Sequence, residues 1–414
     1  MKKILIITSF LTVAIVFYAT SRPQYSILQS FGTKCSNCHE NIQGGGVRNG
    51  GGWMARKDIS LIPTSAIGLS SAFDQLSTNS WASDMILFGI DARYQWAKWP
   101  APSTKDTVPS AEYPYGYTQK GNTAYDNMFM QLTPYLVIKP FSFLTLEGQY
   151  NIAYEIEKTK RYPGQSAYAF SAYIKPGEGL PTLRAGYFQP TLALKWDDHT
   201  ILGHTFYRGA PVVPDDFAEW GAQVDYEATS WLSLSGGAFK STNMSKVIPL
   251  KDSLSFVGRA FISPDIGKGL IGYATGTMFL NGDYRIGNVQ FAIGMPDKIC
   301  LLVEFTNTQK ATFHPTDLTN TDNIADNAVY QNTFSWLGEL TYQVTDNFLP
   351  FARIERQNSR SGQNTQPLMI NQYVIGAHIY LLPYVDLLPE YRVVDKEITP
   401  GYHSQFAFQI HVWY

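Results

Sequence analysis

The sequence predicts an all-β fold: a transmembrane antiparallel β-barrel of about sixteen strands, preceded by a small cysteine-bearing segment. Three observations carry this. Aromatic residues make up 14% of the chain and charged residues only 16%, a mix that suits an apolar lipid face, a polar lumen and aromatic girdles at both interfaces. After residue 21 no apolar run reaches the roughly 20 residues of a membrane-spanning helix. Apolar and polar residues instead alternate with a period of two along segment after segment, which turns one set outward and the other inward. The net charge of −2 gives no reason to expect a nucleic-acid partner.

The elements follow in chain order. Met1-Lys2-Lys3 is a basic start, residues 4–19 form an uncharged apolar run, and Ala19-Thr20-Ser21 offers a small-x-small cleavage site. This is the layout of a secretory leader covering 1–21, with the mature chain beginning at Arg22. The mature protein is therefore expected outside the cytoplasm.

Residues 22–80 carry Cys35-Ser36-Asn37-Cys38-His39. Cys-x-x-Cys-His is the attachment sequence of a c-type haem. The two thiols form thioethers with the haem vinyl groups, and His39 gives the iron an axial imidazole. One motif means one covalent haem c, and export agrees with it. A structural zinc site would need a second ligand pair, and a thioredoxin-type motif would need a βαβ setting; the sequence offers neither. Cys300, in an apolar strand-like run, reads as an inert, half-buried thiol. For the sixth iron position the nearest candidate is Met54, the only methionine of 22–80, since a thioether ligand raises the potential. The alternatives are His378 and His411, which parity puts on the lumen face near the periplasmic ends of their strands, and His199 and His204. These last two lie in a long 191–215 loop, expected to fold inward as porin constriction loops do. A segment this short struggles to build a core, the limit being about 70–80 residues, so haem and barrel lumen are expected to complete it. Gly44-Gly45-Gly46 suits close backbone approach to a flat macrocycle, whereas Gly50-Gly51-Gly52 reads more readily as a flexible linker.

The barrel should occupy 81–414. Its strands are expected at 85–98, 125–140, 142–156, 165–176, 180–190, 216–228, 230–241 and 252–263, then at 268–281, 284–295, 298–308, 330–344, 346–358, 367–381, 383–396 and 403–414. The alternation is plain where Leu144, Leu146, Gly148 and Tyr150 interleave with Thr145, Glu147 and Gln149. Connections alternate too. Compact turns fall at 139–141, 228–230, 296–298, 345–347 and 382–384, and longer ones include 99–124, 191–215, 309–329 and 359–366. Short periplasmic turns and long extracellular loops are the outer-membrane rule, to which the tight turn 281–284 is an exception. Phe406, Phe408, Ile410, Val412 and Tyr414 alternate up to an aromatic last residue, an ending that resembles the strand signal for outer-membrane insertion.

An exported chain with one Cys-x-x-Cys-His motif at Cys35, Cys38 and His39, followed by a sixteen-strand porin-like remainder, resembles the fused monohaem c-type cytochrome–porins of the outer membrane, associated with iron-oxidising bacteria. The resemblance covers the whole architecture and matches residue by residue at those three positions. It implies an electron conduit in the cell outer membrane, between an extracellular redox substrate (iron, oxidised or reduced) and a periplasmic carrier such as a soluble cytochrome. The apolar band of such a barrel is about 25 Å tall, so one haem serves best as a plug in the lumen. Separately, Arg184-Ala185-Gly186-Tyr187-Phe188-Gln189-Pro190, with Asp197-Asp198-His199 following, is similar to a segment of phosphate-selective-type porins, although no basic ladder for an anion appears in the lumen-facing set. The competing reading is a solute-conducting porin with an appended periplasmic cytochrome domain.

Overall fold

Sixteen strands follow one another round a closed ring in this computed structural model, each antiparallel to the next. The structure describes residues 34–41, 44–54, 59–75, 78–99, 124–156, 166–177, 179–192, 201–202, 218–246, 250, 252–313, 329–361, 364–396 and 399–414. The predicted leader, residues 22–33, and both loop histidines, His199 and His204, lie outside the described residues.

The first eight strands are β1 (Ile86–Trp99), β2 (Ala124–Phe141), β3 (Leu144–Tyr150), β4 (Tyr168–Ile174), β5 (Thr182–Phe188), β6 (Glu219–Thr229), β7 (Leu232–Lys240) and β8 (Leu254–Ile262). The ring continues with β9 (Ile271–Asn281), β10 (Tyr284–Met295), β11 (Ile299–Phe313), β12 (Val329–Tyr342), β13 (Phe348–Ser361), β14 (Asn364–Leu382), β15 (Val385–Lys396) and β16 (Thr399–Trp413). A two-residue strand, Ser80–Trp81, leads in and pairs with β1. Three short helices are described as well: α1 (Gly50–Met54), α2 (Ser70–Gln75) and α3 (Ile152–Ile156).

The first and last strands meet at Asp91 and Trp413. Ile90 and Tyr414 exchange backbone hydrogen bonds of 3.0 and 2.9 Å. Gly89 permits this closure, because a Cβ there would stand 2.6 Å from the Tyr414 carbonyl oxygen. Alternation then sorts the side chains. Along β10, Val289, Phe291 and Ile293 are exposed on the outer surface while Asn288, Gln290 and Ala292 are buried inside. An apolar exterior over a polar interior is unstable in water and stable in a bilayer.

Every predicted strand is present, with differences at the ends. The strand expected over 142–156 stops at Tyr150, because Asn151 caps α3: its Oδ1 accepts from the Ala153 amide at 3.1 Å and also from the Leu132 amide at 3.1 Å. The connection expected over 359–366 shrinks, since Ser361 pairs with Asn364, and β11 runs on to Phe313 rather than 308. In sequence the added stretches, 309–313 and 359–361 with 364–366, are mostly polar, with Ala311 and Phe313 the exceptions, so they carry little of the period-two signal. The tight turn at 281–284 is real. Asn281 anchors the neighbouring 241–253 connection, donating from Nδ2 to the carbonyls of Asp252 (2.7 Å) and Leu254 (3.1 Å).

Candidate haem site in the mouth of the barrel

The cysteine motif folds into a tight knot. Cys35–Asn37 is a 3-10 turn, and the amides of Cys38 and His39 both donate to the Cys35 carbonyl, at 3.1 and 2.9 Å. The chain then doubles back, with the Glu40 amide donating to Val47 at 3.1 Å and His39 bridging Arg48. Gly44 takes φ +84°, and a Cβ there would lie 3.3 Å from Cys35 Sγ, so glycine leaves the thiol its space. Asn49 ties the knot together. Its amide donates to Cys38 O (3.0 Å), its Nδ2 donates to Ser36 O (2.9 Å), and its Oδ1 caps α1 through the Gly52 amide (3.0 Å).

The second glycine cluster is therefore no linker, which corrects the sequence reading. Gly50, Gly51 and Gly52 open α1, and a Cβ at Gly52 would collide with the Cys38 carbonyl.

The knot is docked at the end of the barrel that carries the compact turns. Ser36 Oγ donates to Glu227 Oε1 at 3.0 Å, Lys34 pairs with the same carboxylate at 3.6 Å, and Glu40 pairs with Lys139 at 2.8 Å. Further along, the Leu61 and Ile62 amides donate to the Tyr380 and Leu381 carbonyls at 2.7 and 3.0 Å. Trp53, only 2% exposed, stacks on Tyr384 at 5.5 Å and meets the edge of Tyr414 at 5.9 Å. Sequence reading missed these partners, and Trp53 beside the glycines was the only local signal of them.

Above the knot the inner wall is not uniformly polar. Phe261, Tyr273, Cys300, Leu302, Leu337 and Leu349 form an apolar tier that Trp53 joins and Cys35 packs against. Cys300 is thus fully buried rather than half-buried, because its inward position falls where the knot covers the wall. Elsewhere the inner wall is charged and paired. Arg353 meets Glu339 at 3.3 Å and Glu355 at 2.5 Å, Arg184 meets Glu147 at 3.3 Å, Arg93 meets Asp91 at 3.3 Å, and Arg392 pairs with Glu390. The lumen does hold arginines, then, but these four stand beside carboxylates and make no unopposed ladder. Arg184 belongs to the segment that is similar to phosphate-selective-type porins, and it spends its contacts on Glu147 and on Ser171 Oγ at 3.0 Å.

The 191–215 loop folds inward at its described residues. Thr191 Oγ1 donates to Gln223 at 2.8 Å, the Leu202 amide donates to Glu355 at 2.7 Å, and Ile201 joins the same apolar cluster as Trp53. Among the sixth-ligand candidates, Met54 ends α1 with its side chain 55% exposed. His378 and His411 are both buried and inward, as parity predicts. His378 Nδ1 lies 2.7 Å from Asp386 Oδ2, and His411 Nε2 lies 2.7 Å from Asp91 Oδ1.

These residues fit a haem. Cys35 and Cys38 are half-buried thiols outside any disulfide. Beside them is an apolar tier in which two buried donors, Trp53 Nε1 and Tyr273 Oη, have no hydrogen-bond partner among the described residues. A flat apolar group with carboxylate edges matches both features.

The barrel resembles solved structures. Over 80% of this chain and 97% of the other, it matches the outer membrane channel DcaP of Acinetobacter baumannii with a TM-score of 0.53 at 9% identity. The fold is that of an outer-membrane channel barrel. OprB of Pseudomonas putida matches over 84% of this chain and 96% of its own with a TM-score of 0.49 at 10% identity. OmpT of Vibrio cholerae matches over 81% and 100% with a TM-score of 0.47 at 11% identity. No protein-family model matches the chain, and no curated protein matches its sequence. At such identities the likeness concerns the channel-type fold alone.

Proposed function

We propose that the chain is an electron conduit of the outer membrane, with residues 22–80 holding one covalent haem c in the periplasmic mouth of the 81–414 barrel. The observation that carries this reading is the position of Cys35, packed against the apolar cluster that includes Phe261, Tyr273 and Trp53. When bound, the haem supplies one-electron transfer. Cys35 and Cys38 would hold it by thioethers, and His39 would give the iron an imidazole nitrogen. The apolar tier would keep water from the macrocycle, while Glu227 and Lys139 fix the knot to the rim. The exposed apolar exterior faces outer-membrane lipid. Electrons pass between an extracellular donor or acceptor, iron being the one the resemblance implies, and a periplasmic carrier such as a soluble cytochrome.

The second reading is a solute-conducting porin whose appended cytochrome domain serves another role. The comparisons bear on the barrel alone and favour this reading, since the similar structures are outer-membrane channels. Purified protein in planar bilayers separates the two. The conduit shows a closed baseline together with a haem-stained band in denaturing gels, and Cys35→Ala and Cys38→Ala each abolish normal staining while the barrel still inserts. A steadily open pore, with haem that external reagents do not reach, establishes the porin reading instead.

A further inference from the structure

Two buried imidazole–carboxylate pairs face the lumen, and they differ in which nitrogen is engaged. His411 turns Nε2 toward Asp91 at 2.7 Å and packs on Trp413 at 4.6 Å. That contact is a close ion-pair distance without hydrogen-bond geometry, and it sets Nε2 against the Asp91 carboxylate.

His378 is held the other way round. Its Nδ1 lies 2.7 Å from Asp386 Oδ2, and the other oxygen of Asp386 accepts from the Ile379 amide at 3.1 Å. A carboxylate only accepts, so Nδ1 carries the proton and Nε2 presents its lone pair. That Nε2 is buried and has no hydrogen-bond partner among the described residues, in a side chain only 4% exposed. The ring is fixed between Phe351 at 5.8 Å and Tyr380 at 6.3 Å. Tyr380 belongs to the apolar cluster that contains Trp53 and borders Cys35. An imidazole locked by a carboxylate through one nitrogen, with the other left bare, is the arrangement that metal-ligating histidines adopt. The carboxylate sets the tautomer and raises the basicity of the bare nitrogen. Met54, by contrast, is more than half exposed at the end of α1.

We infer that His378, oriented by Asp386, is the distal axial ligand of the haem, so that the iron is held between two imidazoles from opposite ends of the chain. The inference rests on the haem reading of Cys35, Cys38 and His39. It ties the knot to the barrel wall through the metal, so that the plug and the cofactor are released together or not at all.

The test is the absorption and electron paramagnetic resonance spectrum of the full-length protein, with a haem-stained denaturing gel run on every sample. In wild type the expected result is a stained band and a low-spin bis-imidazole signature. His378→Ala should keep the stain, become high-spin, and return to low-spin when imidazole is added. His378→Met should stay low-spin with a raised potential, since a thioether replaces an imidazole. Asp386→Asn should keep the ligand but shift the potential, as expected of a positioning residue. Met54→Ala should change nothing. A His378→Ala spectrum identical to wild type, or a Met54→Ala variant that turns high-spin in its place, overturns the ligand assignment and leaves the haem reading standing. Wild type without a stained band overturns both. Heat-modifiable migration in the gel identifies any variant whose barrel fails to fold, and in that event the His378→Met spectrum decides.

Discussion

Gly52 and Gly50 sit two residues apart in α1 and have opposite surroundings. A Cβ at Gly52 would run into the Cys38 carbonyl, whereas at Gly50 nothing lies within 4 Å. Overpacking of this kind costs about 1–3 kcal/mol, while alanine for glycine in an open helical position gains up to about 1 kcal/mol. Gly52→Ala should therefore lower the haem stain per folded barrel, and Gly50→Ala should preserve it. Equal staining of the two variants would mean that the knot does not pack as described. At this scale Cys35, Cys38 and His39 are neighbours in the chain and fold into one turn. The sequence was silent on Asn49, whose role is to cap α1 and bond Ser36 O, and on the Trp53–Tyr384 stack, because the two rings are brought together only by barrel closure.

Among the elements, the strands were readable because one face meets lipid and the other the lumen, which writes a period of two into every segment. That signal fades where the sequence turns mostly polar, beyond 308 and 358, and where a single cap redirects the chain, as at Asn151. The knot and α1 carry no periodicity, being too short, so a segment completed by the lumen could be expected but its contact partners could not be read. Trp53 is the element's main anchor. Truncating a buried tryptophan costs about 3–5 kcal/mol, so Trp53→Ala should loosen the 34–75 segment from the rim. Limited proteolysis from the periplasmic side should then cut that segment faster than in wild type, and bilayer recordings should show more frequent opening. Unchanged cleavage together with unchanged conductance would mean that the segment is held by other contacts.

For the whole molecule, an even number of strands brings both ends to one side, and the turns at 230–231, 296–298, 343–347 and 383–384, the knot and the Asp91–Trp413 seam gather there, while the tight turn at 281–284 lies at the opposite end. Assigning that side to the periplasm gives a direct topological expectation. An epitope inserted at Asp317, between β11 and β12, should be labelled on intact cells, and one inserted at Asp346, in the β12–β13 turn, should not. The reverse pattern would invert the barrel and put the knot at the cell surface. In the proposed conduit, electrons cross this barrel through the motif-bound group while solutes do not. Vesicles loaded with an impermeant oxidant and a small trapped dye, carrying the purified protein and exposed to an external impermeant reductant, test it most directly. The internal oxidant should be consumed while the dye is retained, and the Cys35→Ala, Cys38→Ala double variant should abolish this transfer. Equal consumption by the double variant, or consumption only in step with dye loss, would contradict it.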